Sequence, residues 1–207
     1  RLLVGVGRVL PRGCGGGPVS GLVASRGAEP VVDVDASAAQ VAEARRRAGG
    51  VAYARASATA LPLAAGSFDA VVTCLVLEHL DDLDGALDEV ARVLRPGGRF
   101  VIFVNHPLFQ TPGSGWIDDQ VVDPPEQYWR VGPYLTEAVS VEEVDAGVRL
   151  PFFHRPLSRY VNALADRGLQ LTRMHEPAPP ARFLALAPQY EDAASIPRLL
   201  LLRAEKR

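Results

Sequence analysis

The stretch VLPRGCGGGPVSGLVASRGAEPVVDVDAS, from Val9 to Ser37, decides the fold. The apolar run Val6 to Leu10 leads into it as a strand, glycines follow at once, and Pro18 to Ser25 then carries helix spacing. A second apolar run, Val31 to Asp35, closes the unit. Two strands joined through a helix run parallel, because only a crossover returns the chain to the same edge.

The same alternation continues outward. Val51 to Ala54, Ala70 to Cys74 and Arg99 to Val104 read as further strands, with Ala38 to Ala48 and Leu83 to Leu94 as helices between them. Ser37 is placed to cap the second helix, and Arg95-Pro96-Gly97-Gly98 cannot continue the third. Repeated strand, helix, strand predicts an α/β, Rossmann-like, doubly wound sheet with helices on both faces. From Asn105 to about Arg149 the rhythm breaks into Pro, Gly, Asp and aromatic residues without a period, and a segment of that kind is expected to act as a substrate lid over 105–150. Regularity resumes with a helix from Pro156 to Arg167, a strand Leu169 to Met174, a stiff connector Glu176 to Pro180 and a last strand Arg198 to Arg203. With 207 residues and 48% hydrophobic content, the whole chain, 1–207, reads as a single domain.

Composition removes several function classes. A net charge of -2 without any basic run argues against nucleic acid or an anionic membrane as partner, since both call for clustered cations. Arg45 to Arg47 sit beside Glu43 at a helix end and read as a solvated terminus. Cys14 and Cys74 have neither metal nor redox spacing, so a reducing cytoplasm is expected and no metal. No stretch approaches the roughly 20 apolar residues that cross a bilayer. The sequence opens at Arg1 rather than Met, close to the first strand, which leads us to expect a segment before it.

Gly13, Gly15 and Gly17 let backbone approach a ligand closely at the turn between strand 1 and helix 1. A dinucleotide fingerprint would place another glycine where Pro18 stands, which disfavours a nicotinamide oxidoreductase. Asp35 ends strand 2, where its carboxylate can accept hydrogen bonds from both hydroxyls of a ribose. Glycines followed by such an acid point to a nucleoside-type ligand.

Taken together, Gly13-Cys-Gly-Gly-Gly17, Val34-Asp-Ala-Ser37 with Gln40, Leu61-Pro62, Gly66-Ser-Phe-Asp-Ala-Val-Val72, Leu77-Glu-His-Leu80 and Glu89-Val-Ala-Arg-Val-Leu-Arg-Pro-Gly-Gly98 resemble class I S-adenosylmethionine-dependent methyltransferases of the small-molecule type. The resemblance covers roughly Val9 to Val104. It implies seven strands, mostly parallel with the last antiparallel, binding S-adenosylmethionine across the carboxyl ends of the first four. It implies that Gly13, Cys14, Gly15 and Gly17 line the methionine portion, that Asp35 with Ala36 holds the ribose, and that Ser57 and Ala58 meet the adenine. Thr73 and Cys74 then end the strand beneath the methionine moiety, and His79 shapes the cofactor pocket. Two positions depart from the pattern: Pro11 stands where the family has an acidic residue, and Ser57 where it commonly has Asp.

Methyl transfer from a sulfonium needs alignment first, and a base only when the acceptor must lose a proton. His106, directly after strand 5, and His154, opening the late helix, are the candidate bases; His175 is expected to be uninvolved. Trp116, Tyr128, Trp129 and Tyr134 in the lid suit a polar organic acceptor. The expectation is a small-molecule methyltransferase, O-methylation favoured, monomeric or homodimeric. Its rival is a catalytically inactive cofactor-binding or partner-binding homologue, suggested by Pro11.

Overall fold

Residues 7–13, 18–47, 50–145, 147–186 and 192–207 are described by the structure, a computed structural model. The parallel strands are β1 (Val9–Arg12), β2 (Val31–Asp35), β3 (Val51–Arg55), β4 (Phe68–Cys74) and β5 (Leu94–Asn105). Between them lie α1 (Pro18–Ser25), α2 (Ala38–Arg47) and α3 (Leu83–Val93). After β5 the chain makes two antiparallel hairpins, β6 (Gly115–Asp119) with β7 (Glu126–Arg130), and β8 (Ala138–Asp145) with β9 (Val148–His154). It then forms α4 (Leu157–Ala165), β10 (Leu169–His175), the short α5 (Ala181–Leu186) and β11 (Leu199–Lys206).

Seven strands form the main sheet in the order β10-β11-β5-β4-β1-β2-β3, with β11 antiparallel to both its neighbours. The predicted fold class is what the chain adopts. Leu10, Val71, Phe100 and Ile102 face α3 and α4, forming the larger core. Val9, Val31, Ala70 and Val72 face the other way, towards Val23 of α1. Burial on both faces explains why these strands read as continuous apolar runs. In α3 the buried residues are Leu83, Ala86, Leu87, Val90 and Val93, the stripe a 3.6-residue period puts on one face.

Local signals account for the element ends. Ser37 Oγ accepts the Gln40 amide at 3.3 Å, as expected of the cap of α2, and Asp82 Oδ1 accepts the Gly85 amide at 2.8 Å at the start of α3. α3 ends at Val93, before the Pro-Gly-Gly segment, because Leu94 is already extended and opens β5; that segment instead forms an irregularity in β5 between Leu94 and Arg99, with Gly97 at φ 73°.

Pro11 sits inside β1, where the sheet accommodates it. The Val9 and Gly13 amides donate to the Pro30 and Val34 carbonyls at 3.1 and 2.9 Å, so the intervening rung, to Val32, is the one that proline cannot make. Pairing with β4 continues through all four residues.

The switch point lies between β1 and β4, since the chain leaves β1 towards β2 and returns on its other side. The carboxyl ends of these strands therefore part around a crevice.

The expected lid is not an irregular loop. Trp116 faces Trp129 across β6–β7, and Phe109 stacks on Trp129 with ring centroids 4.4 Å apart. Aromatic contacts thus tie this hairpin to the end of β5. The β8–β9 hairpin turns tightly at Gly147, at φ 74°, and packs Phe152 into the body.

Candidate active site

A cavity of about 680 Å³ opens at the carboxyl ends of β1 to β4. Gly13 lines it from β1, Asp35 and Ala36 from β2, Ser57 and Ala58 after β3, and Leu75, Val76 and His79 after β4. Val148 and Leu150 reach it from the β8–β9 hairpin.

At the β2 end, Asp35 Oδ1 accepts the Ser37 amide at 2.8 Å, which orients the carboxylate where the chain turns into α2. Asp33, two residues earlier on β2, faces α1 instead and is fully buried, with Ser20 Oγ donating to its Oδ2. Desolvation pushes the Asp33 carboxyl up to about 7, against the lowering pull of Ser20. The two acids thus have opposite settings, one at the cavity and one in the core. Ser57 Oγ lies 2.9 Å from Thr59 Oγ1 and accepts the Thr59 amide at 3.2 Å, so local bonds hold the turn after β3.

Across the cavity, Leu75 adopts φ 53°, a left-handed conformation that costs a non-glycine residue roughly 1 kcal/mol or more. Its amide is held by the Phe103 carbonyl at 2.7 Å. The chain then enters a 3-10 turn, Leu77–His79. Arg155, directly after β9 and 5% exposed, donates to the Leu80 and Asp81 carbonyls at 2.8 and 2.7 Å and locks this turn. Glu78 is buried beneath it; Oε1 accepts the backbone and side-chain amides of Asn105, both at 3.2 Å, and desolvation raises its carboxyl above the ordinary range. His79 is half-buried, with Nδ1 2.9 Å from the Pro151 carbonyl and its ring edge-on to Phe152.

The methyltransferase domain family matches residues 10–102, the part that carries the glycine turn, Asp35 and the turn after β4. Malonyl-[acyl-carrier protein] O-methyltransferase of Enterobacter lignolyticus is 33% identical over 180 residues, covering 82% of this chain and 66% of that protein. Ubiquinone biosynthesis O-methyltransferase of Sinorhizobium fredii is 41% identical over 106 residues, 49% of this chain and 42% of that one. Among solved structures, an S-adenosylmethionine-dependent methyltransferase from Mesorhizobium loti superposes with a TM-score of 0.84 at 27% identity, covering 100% of this chain and 93% of the other. The chain belongs to the class I S-adenosylmethionine-dependent methyltransferase family. It spans 66% and 42% of the length of the two curated relatives named.

The methyltransferase cavity fits the family's cofactor, S-adenosylmethionine. Its volume lies within the roughly 300–1,000 Å³ of small-molecule sites. A Cβ built on Gly13 would stand 2.3 Å from Val76 Cγ2, so only glycine lets β1 and the turn after β4 close on one another beside the ligand space. Asp35 lies one strand over from Gly13, and Ser57 one strand further, in the order a nucleoside with an aliphatic tail requires.

Of the cofactor residues expected, Gly13, Asp35, Ala36, Ser57, Ala58 and His79 come together at this cavity. Cys14, Gly15 and Gly17 lie outside the described residues. Thr73 and Cys74 do not line it: Thr73 is fully buried within β4, and Cys74 is half-buried, its thiol pushed up by desolvation. Pro11 is likewise buried in the sheet and absent from the cavity wall.

Neither candidate base lines the cavity. His106, 5% exposed, accepts the Leu108 amide at Nδ1 (3.1 Å), which leaves Nε2–H to donate to Glu176 Oε1 at 2.9 Å. Neither nitrogen has a lone pair to spare, and the ring instead pins the Pro-rich connector to the end of β5. His154, 2% exposed, donates from Nε2 to the Tyr134 carbonyl at 2.8 Å, and its Nδ1 is buried without a hydrogen bond among the described residues. Each was placed near the cavity by chain position, and tertiary packing turned it inward. Conversely, Val148, Leu150 and Arg155 escaped sequence reasoning, since nothing local marks a hairpin as roof or an arginine as clamp.

No group of three His, Cys, Asp or Glu side chains able to hold a metal occurs among the described residues, and no helix there is long and apolar enough to cross a membrane.

Proposed function

We propose that this protein catalyses S-adenosylmethionine-dependent methylation of a hydroxyl group on a small organic acceptor. The observation that carries the reading is the convergence of Gly13, Asp35 and Ser57 from three adjacent strand ends on one cavity. S-adenosylmethionine, when bound, supplies an electrophilic methyl group on a sulfur that leaves as a neutral thioether.

The residues divide the remaining work. Asp35 accepts hydrogen bonds from the ribose hydroxyls, while the turn after β3 meets the adenine. Gly13 and Val76 enclose the aliphatic end. Val148 and Leu150 roof the site and exclude water, which suits the expected lid role of the excursion after β5. Oxygen as the methylated atom accords with the two curated relatives, both O-methyltransferases by name. The acidic net charge and the absence of a basic run favour a small acceptor over nucleic acid.

Calorimetric titration with S-adenosylmethionine and S-adenosylhomocysteine tests the reading, with saturable one-site binding of both expected. No binding of either to folded protein would end it. The second reading, a silent cofactor-binding homologue, draws on Pro11, which cannot offer the carboxylate that the family's pattern has there. Binding without methyl transfer to any phenol, carboxylate or amine would favour that homologue.

A further inference from the structure

The chain has four histidines, and the structure commits two of them, His106 and His154, to internal bonds. His79 alone lines the cofactor cavity. Its Nδ1 lies 2.9 Å from the Pro151 carbonyl, and a carbonyl only accepts, so the proton resides on Nδ1. Nε2 then carries the lone pair, and no hydrogen bond reaches it among the described residues. Phe152, edge-on at 5.4 Å, and the Arg155 clamp hold the ring and its turn. The partner that sets the tautomer belongs to β9, the strand whose Val148 and Leu150 roof the cavity.

Strand order locates this nitrogen along the ligand. A cofactor with adenine at β3 and ribose at β2 extends its aliphatic end over β1, and the next strand is β4, which leads to His79. The flanking walls, Leu75, Val76, Val148 and Leu150, are apolar. They suit a ring better than a sugar or a charged chain. The acids nearby are placed otherwise: Glu78 is buried and bonded to Asn105, Asp82 caps α3, Asp81 lies on the cavity rim, and Asp35 sits at the ribose end.

Building on the methyl-transfer reading, we infer that His79 Nε2 is the proton acceptor for a phenolic hydroxyl, with the tautomer fixed by the Pro151 carbonyl of the β8–β9 hairpin. The phenolic oxygen forms the new bond to the methyl carbon, the sulfur keeps the electron pair of the broken carbon–sulfur bond, and the phenolic proton moves to His79 Nε2. A phenol, with a pKa near 10, yields its proton to imidazole far more readily than an aliphatic alcohol does.

The test uses the full chain with S-adenosylhomocysteine and catechol as probe. Nitrogen-15 correlation spectra of the wild type should give an Nδ1–H tautomer at His79, and millimolar catechol should move its Nε2 signal. His79→Asn should lower methyl transfer from S-adenosylmethionine to catechol between about 100-fold and 10,000-fold, with S-adenosylhomocysteine affinity within about threefold of wild type. Failure of the wild type to bind S-adenosylhomocysteine would overturn the methyl-transfer reading and this inference with it. With binding intact, an Nε2–H tautomer, an Nε2 signal that catechol leaves unmoved, or an undiminished His79→Asn rate would overturn the inference alone.

Discussion

The parallel strands β1 to β4 lead into one side of the cavity and the β8–β9 hairpin lines another, and different physics shapes each. The parallel strands lie between two layers of helices, and their residues are apolar because no face is left for water. The hairpins pair only with themselves; Val139 and Val141 of β8 remain 61% and 65% exposed. The dry sheet brings Gly13, Asp35 and Ser57 to the cavity, whereas the exposed ribbon brings Val148 and Leu150 to it and the Pro151 carbonyl to His79.

Three substitutions and one double-mutant cycle put this contrast to the test. The largest effect is expected where the parallel half is driest. The Asp33 carboxyl is pushed up to about 7 from an ordinary 3.8, so the folded chain holds that proton more tightly than the unfolded one. Its share of stability is whole below about pH 4 and is lost as pH rises through 7. Asp33→Asn should therefore leave stability near pH 4 unchanged and raise it at pH 8 by about 4 kcal/mol, from the 1.36 kcal/mol that each pKa unit represents, as read by urea unfolding at both values. A pH-independent difference would mean that the site is wet.

Arg155→Met asks whether the excursion and the sheet edge are one unit. It strips the buried donors from the Leu80 and Asp81 carbonyls and should cost about 3 kcal/mol in urea unfolding. A loss under about 1 kcal/mol would make the hairpins an ornament on an independent sheet. Gly13→Ala tests the sheet edge as ligand cradle. The added Cβ collides with Val76 at φ 75°, and S-adenosylhomocysteine affinity should fall about 100-fold by calorimetry, near 2.7 kcal/mol. The smallest effect belongs to the ribbon: a double-mutant cycle on Phe109 and Trp129 should give a coupling of about 1 kcal/mol. A coupling near zero would leave the first hairpin without a specific anchor.

Legibility followed the same division. The five parallel strands and three crossover helices were readable because their periods come from burial on known faces, and Ser37 declared its helix end through its own short side chain. Asp35 was readable because its position at the end of a strand is itself the signal. The hairpins were not: Pro151 falls inside β9, Asp123-Pro124-Pro125 breaks the run between β6 and β7, and strands exposed over most of their length impose no alternation to detect. The histidines illustrate a sharper reason. His106 follows β5 and His154 ends β9, yet their partners, Glu176 and the Tyr134 carbonyl, lie 70 and 20 residues away.

Local periodicity sufficed for the doubly wound sheet, and a residue's place at a strand end sufficed to bring Asp35 to the cavity, because neither depends on distant partners. Which imidazole lines the cavity was left to long-range packing. That choice depends on which distant carbonyl, amide or carboxylate meets each ring nitrogen, and such pairings come into being only when β9, the Pro-rich connector and the turn after β4 pack together.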